Sequence, residues 1–248
     1  MLPLDEIAYR NRWRLRHPGE KAVLSLGLLA CAVALPPWPG AALAGGCALV
    51  ALLGPAGLAP AQLWRAMRVP LAFILTGTLP MLVSVGGPQG IAWDPAGPAT
   101  AANVVGRAIG ALLCLLLFAA TTPMADVLPR LERLGVPAAV TEIAALTYRL
   151  LFLLLDTARG VREAQAARLG FSGWRTSIRS VAGQGGAIFV QAFDRARRLE
   201  EGLALRGYSG SLRVELEDRP VSRAFVAGAL AVVGAVVGMT LVATAWNP

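Results

Sequence analysis

Two short segments carry the chemistry this sequence offers. Residues 163–170 read Glu-Ala-Gln-Ala-Ala-Arg-Leu-Gly, and residues 201–207 read Glu-Gly-Leu-Ala-Leu-Arg-Gly. Each sets a small or apolar pair before one arginine, Ala166 and Ala167 before Arg168, Ala204 and Leu205 before Arg206. Each then ends on a glycine, Gly170 or Gly207. A guanidinium is a permanent planar cation with a fork of donors, so what it does best is hold a carboxylate or a phosphate.

Periodicity shows what must position these arginines. Leu150, Leu154, Thr157, Val161 and Ala164 step by three or four residues, and the next step is Arg168. Ile188, Ala192, Ala196, Leu199 and Leu203 do the same, and the next step is Arg206. That spacing marks one face of a helix. Each arginine therefore falls at the end of an apolar stripe, where burial is costly unless an anion meets it. The glycines beyond read as C-terminal caps, and a cation in the last turn suits the helix dipole. Two uses fit: capping or pairing with anionic lipid heads, and docking two helix ends onto an acidic partner. The repetition favours docking.

Composition sets the surroundings. Of 248 residues, 56% are hydrophobic and 15% charged, the balance of a membrane protein. Several apolar runs approach the roughly 20 residues needed to cross a bilayer. The net charge of +8 is concentrated: fifteen of the 23 Lys and Arg lie between Thr121 and Arg223, and five more lie in the first 21 residues. Such charge would point a soluble protein toward nucleic acid; flanking membrane spans it sets topology, and no nucleic-acid partner is expected. Cys31, Cys47 and Cys114 sit singly inside apolar runs and read as small buried hydrophobes. With His17 the only histidine, no intrinsic metal site is expected.

In chain order, residues 1–21 form a basic arm on the cytoplasmic side. Four apolar segments follow within 22–122: Ala22–Leu35, Ala41–Ala59, Val69–Val85 with a kink expected at Pro80, and Val104–Thr122. The first two, joined by Pro36-Pro37-Trp38-Pro39-Gly40, predict a tight or shallow hairpin. Gln62–Arg68 belongs on the positive side and Gly86–Asn103, lacking Lys and Arg, on the other. Arg107 reads as snorkelling to the interface. Residues 123–223 are basic and helical, and 224–246 form the last span, rich in Gly and Ala for close packing. Ala138–Leu155 is apolar but interrupted by Glu142 and Arg149. Crossing with it would put one flanking set of arginines outside, so it is expected at the membrane face. Gly183–Gly186 reads as a flexible or closely packed break. The fold class is all-α: a polytopic membrane protein of about five transmembrane helices with a cytoplasmic helical region.

No P-loop, zinc-protease motif, nucleophile elbow or intramembrane carboxylate cluster is present. An enzyme acting on anionic lipid or isoprenoid phosphates would explain interfacial arginines, but no catalytic base or metal set is visible. A free-standing channel would need a polar pathway through the spans, and none is visible either.

The two arginine motifs resemble the signature of the transmembrane T component of energy-coupling factor transporters, in its cobalt-transport, CbiQ-type branch. Asp5–Arg12 and His17–Lys21 look like that branch's opening, and Leu131–Pro137 followed by Leu146–Leu150 is similar too. The first motif departs from many relatives in carrying Leu169 before its glycine. The resemblance implies a multi-pass cell-membrane subunit in cobalt supply for cobalamin biosynthesis, itself neither an enzyme nor a binder of cofactor or metal. Its partners would be two cytoplasmic ABC-type ATPase subunits, which use the ATP, and a separate membrane subunit that captures cobalt. The pattern leaves room for a small accessory membrane subunit, and lipids surround it. Residues 123–223 would then hold crossing coupling helices. Ala167, Arg168, Ala204, Arg206 and Gly207 would form the docking ends, the arginines inserting into acidic grooves. Nickel import by the same arrangement remains the alternative, since the capture subunit chooses the metal.

Overall fold

A computed structural model describes residues 3–87, 90–208 and 219–246. The later part of the 123–223 region, residues 209–218, lies outside them, as do residues 88–89 of the Gly86–Asn103 segment. The chain divides into two compact units, one of Leu2–Met124 with Glu217–Pro248, the other of Ala125–Leu216.

The first unit is built on helices. α1 (Pro3–Arg10) opens it, α2 (Pro18–Ala34) and α3 (Ala42–Leu53) follow, and α4 spans Pro60–Thr78. An antiparallel hairpin, β1 (Val83–Gly87) and β2 (Gly90–Trp93), comes next. α5 (Gly97–Thr121) and, after the second unit, α9 (Arg223–Trp246) complete the unit. At 1.5 Å per residue α2 and α3 reach about 26 and 18 Å, each short of a hydrocarbon layer of about 30 Å.

Close backbone approach holds these helices together. A Cβ on Gly45 of α3 would stand 2.9 Å from the Gly110 Cα of α5, and one on Gly110 would stand 2.5 Å from the Ala41 carbonyl oxygen. A Cβ on Gly27 of α2 would stand 2.9 Å from the Val233 side chain of α9. Small residues let helices approach closely where apolar burial alone gives little drive, as in lipid. Leu28, Ala32, Ala44, Ala48, Leu52, Cys114 and Leu117 fill the centre. The three cysteines are free thiols, Cys31 and Cys114 buried and Cys47 half-buried, as expected of small hydrophobes.

The expected bounds and kink of the third helix are corrected here. The third helix is not Val69–Val85: α4 starts at Pro60, where Gln62 Oε1 accepts the Ala59 N–H at 3.2 Å, and ends at Thr78. Pro80 lies beyond it in a 3₁₀ turn, while Pro70 is the proline inside the helix, removing the bond to Ala66. The start of the Gly-rich segment Gly86–Asn103 pairs as a strand with the residues just before it, which its composition concealed. Arg107 donates from Nη2 to the Leu35 carbonyl at 3.2 Å, so this cation caps the end of α2 while staying exposed.

The second unit begins within the short α6 (Met124–Val127), passes through a 3₁₀ turn at Leu128–Leu134, and consists mainly of α7 (Ala138–Ala167) and α8 (Trp174–Leu205). Neither Glu142 nor Arg149 interrupts α7, which with α5 and α9 is long and apolar enough to cross a membrane. α8 is equally unbroken through Gly183–Gly186, correcting the expected break. Gln184 within that stretch reaches across instead, its Nε2 donating to the Ala158 carbonyl at 2.8 Å.

Candidate functional site: two arginine-capped helix ends

α7 and α8 run antiparallel, tied near the turn and again at the far end. Near the turn, Ser180 Oγ donates to the Gly170 carbonyl at 2.8 Å, and Gln184 meets Ala158. At the far end Tyr208 Oη donates to Glu142 Oε1 at 2.6 Å. That carboxylate, by accepting the phenol hydrogen, pushes the Tyr208 pKa above its ordinary value; slight desolvation and the carboxylate's charge add to it. Thr141, buried on the first turn of α7, bonds Glu132 of the preceding turn and fixes where the helix begins.

The two arginines close their helices identically. At the end of α7, Gly170 N–H donates to Gln165 O at 2.8 Å and Leu169 N–H to Ala166 O at 3.0 Å. At the end of α8, Tyr208 N–H donates to Leu203 O at 3.1 Å and Gly207 N–H to Ala204 O at 3.1 Å. Both are Schellman motifs, and in both the arginine is the C-cap residue. The next residue must take the left-handed conformation: Gly207 does so at φ 71°, and at the other end Leu169 does so at φ 58°.

Gly170 is therefore not the left-handed residue the sequence pattern pointed to. It is needed for space: a Cβ there would stand 2.5 Å from Ser180 Oγ and 2.8 Å from Gln165 O. The backbone of α7's end passes so close to α8 that only glycine fits.

Arg168 and Arg206 are exposed, as are Ala166, Ala167 and Ala204 beside them, so the stripes fade before they reach the arginines. Among the described residues no hydrogen bond or ion pair reaches either guanidinium. Glu142, opposite Tyr208, is 26 residues from Arg168 along α7, so the two arginines lie roughly 39 Å apart. The five residues singled out from the sequence thus form two sites, Ala167 with Arg168 and Ala204 with Arg206 and Gly207. The two ties nearest the turn and the Tyr208–Glu142 bond were missed, having no local pattern.

Taken together, the fold and site define a mainly helical, all-α-class multi-pass membrane protein that carries a basic helical pair with a free guanidinium at each end. The family model described as "Cobalt transport protein", CbiQ, matches residues 10–216, and the chain belongs to this family, a membrane component of cobalt transport. It is 44% identical over 226 residues to the cobalt transport protein CbiQ of Rhodobacter capsulatus, covering 91% of each chain. It is 29% identical to the CbiQ of Salmonella typhimurium, over 86% of this chain and all of that one. A putative fused cobalt transport protein CbiMQ of Methanocorpusculum labreanum is 22% identical over 88% of this chain, which spans 38% of that longer protein.

Proposed function

We propose that this chain is the non-catalytic, energy-coupling subunit of an ATP-driven cobalt importer of the energy-coupling factor type. It links two cytoplasmic ABC-type ATPases, which bind and use the ATP, to a separate membrane subunit that captures cobalt. Two unpartnered guanidiniums at identical caps, roughly 39 Å apart on one tied helical pair, carry the reading. Each presents a cation and the small residue beside it to an acidic groove on one ATPase. Closure of the ATPases then moves both ends of one rigid device.

Charge supports the orientation: the N-terminal arm and residues 123–223 hold most of the Lys and Arg, which puts both in the cytoplasm. The basic flanks of α7 keep its apolar half at the membrane face rather than across it. Trp174, Ile178, Val181, Phe189, Val190 and Phe193 leave α8 with a large exposed apolar surface, which suits a membrane partner such as the capture subunit. The fused relative is consistent with a membrane transport partner, and the relatives' names favour cobalt over nickel.

The test is co-purification from detergent of an ATPase subunit with wild type and with the Arg168→Ala/Arg206→Ala double variant. Truncating one side of a desolvated ion pair costs about 2–5 kcal/mol, so wild type should carry the ATPase and the double variant should lose it. Equal recovery with both would refute docking through these arginines.

A further inference from the structure

The segment His17–Lys21 has no part in docking, yet it holds two of the most deeply buried charged side chains described. Glu20 is 2% and Lys21 1% exposed, side by side in the first turn of α2. His17 is the N-cap of that helix, its Nδ1 accepting the Gly19 N–H at 3.1 Å, and Pro18 opens it. Buried charges persist only where partners replace water; here they are two other helix ends, the Trp13 carbonyl, and Arg16, whose Nη1 lies 3.8 Å from Glu20 Oε2.

Lys21 Nζ donates to the Thr121 carbonyl at 2.7 Å and the Trp13 carbonyl at 3.2 Å. Thr121 is the last residue of α5, so its carbonyl has no intrahelical partner and sits at the negative end of the helix dipole. Glu20 does the opposite for α9. Its Oε1 accepts the Ser222 N–H, while Ser222 Oγ accepts the Phe225 N–H at 3.3 Å, making Ser222 the N-cap. In a capping box the third helical residue supplies the carboxylate that accepts the N-cap N–H. In α9 that residue is Phe225, and the carboxylate comes from α2 instead.

Two adjacent residues therefore cap the C-terminus of α5 with a cation and the N-terminus of α9 with an anion. Neighbouring contacts reinforce the arrangement. Trp13 packs edge-on against Phe225 at 5.4 Å, Arg16 lies 4.7 Å over the same ring, and Arg219 donates to the Arg14 carbonyl at 2.8 Å. These helix ends are also the points where the chain leaves for the unit Ala125–Leu216 and returns from it.

We propose that Glu20 and Lys21 are positioning residues that hold the departure and return of the helical pair in fixed register. Force applied at Arg168 and Arg206 then moves α5 and α9 together instead of being absorbed in the connections. The inference rests on the coupling reading above and adds the point through which that coupling enters the membrane unit.

The test uses the whole transporter in lipid vesicles, reading ATPase retention, ATP hydrolysis and cobalt taken up per ATP. Ser222→Pro removes the N–H that Glu20 accepts; Ser222→Gly removes only the hydroxyl; Lys21→Met removes the cation. Ser222→Pro and Lys21→Met are expected to keep the ATPase and its hydrolysis while uptake per ATP falls about tenfold, with Ser222→Gly within about twofold of wild type. Unchanged uptake per ATP in both, or an equal fall in Ser222→Gly, overturns the proposal.

A distance measurement stands apart from transport and from the coupling reading. Spin labels at Met124→Cys and Val221→Cys, both exposed positions, report the separation of the two helix ends once the three native cysteines are replaced by alanine. A broader distribution in Ser222→Pro supports the clamp, and an unchanged one overturns it even if Lys21→Met fails to accumulate. A wild-type chain that carries no ATPase refutes the coupling reading and leaves this measurement to judge the clamp.

Discussion

The tripeptide Arg-Leu-Gly occurs twice in the second unit and closes two helices in different registers. At Arg133–Gly135 the glycine is the left-handed residue, φ 94°, and Val136 N–H returns to Leu131 O at 3.2 Å. At Arg168–Gly170 the same cap forms one residue earlier, with leucine left-handed and glycine beyond it. Local preference alone favours the first arrangement, because a side chain in the left-handed region costs about 1–2 kcal/mol. What differs is the neighbour. Nothing lies within 4 Å of a Cβ on Gly135, whereas Gly170 is pressed against Ser180 and Gln165. The shifted register also puts Arg168 at the C-cap, the place Arg206 holds on α8. Tertiary crowding and equivalence of the two arginines thus coincide with a strained leucine at the candidate site.

The comparison can be broken or sharpened in steps. The largest effect is expected from the arginines themselves. If the two ends are equivalent, Arg168→Ala and Arg206→Ala should weaken ATPase binding to similar extents, each by about 2–5 kcal/mol. A pull-down titration in which one variant binds like wild type would break the equivalence. Next comes Gly170→Ala, whose Cβ has backbone in its way and should lower stability in detergent by about 1–3 kcal/mol. Gly135→Ala has open space and only the left-handed penalty, so a thermal melt should show the smaller loss there. Leu169→Gly removes the strain and should raise stability by about 1 kcal/mol while leaving ATPase binding unchanged; a fall would mean the leucine side chain makes a contact that outweighs its backbone cost.

The smallest effect concerns pH. Tyr208 has a folded pKa raised above 10.0, chiefly by its bond to Glu142. The contact is therefore fully present below that ordinary value and is lost as pH rises through the raised one. Spectrophotometric titration of the three tyrosines should lose a transition lying above the ordinary tyrosine value in Tyr208→Phe. Losing a transition at or below the ordinary value would show that the bond does not form in solution.

What the sequence made legible follows the range of each interaction. The helices bearing Arg168 and Arg206 were readable because a 3.6-residue period is local, and Gly207 because its left-handed role is local too. Leu169 was not, since the residue that displaces the glycine, Ser180, belongs to the next helix. The start of α4 was hidden by Arg65 and Arg68, which a hydropathy reading assigns to a loop although the Ala59–Gln62 cap begins the helix before them. Lys21 read only as part of the basic arm, and Glu20 had no reading, because the partners that join them to α5 and α9 lie 100 and 202 residues away.

Those separations also bear on how the chain is made. Translation proceeds at about 5–20 residues per second, so after Glu20 is synthesised roughly ten to forty seconds pass before Ser222 exists to receive it. During that interval the two charges have only their local partners, Arg16 for Glu20 and the Trp13 carbonyl for Lys21. Lys21 is satisfied when α5 is complete, and Glu20 only when α9 begins. The start of α2 is thus completed by the last helix of its unit, and a chain that stops before Ser222 leaves Glu20 with Arg16 but without the helix end it caps.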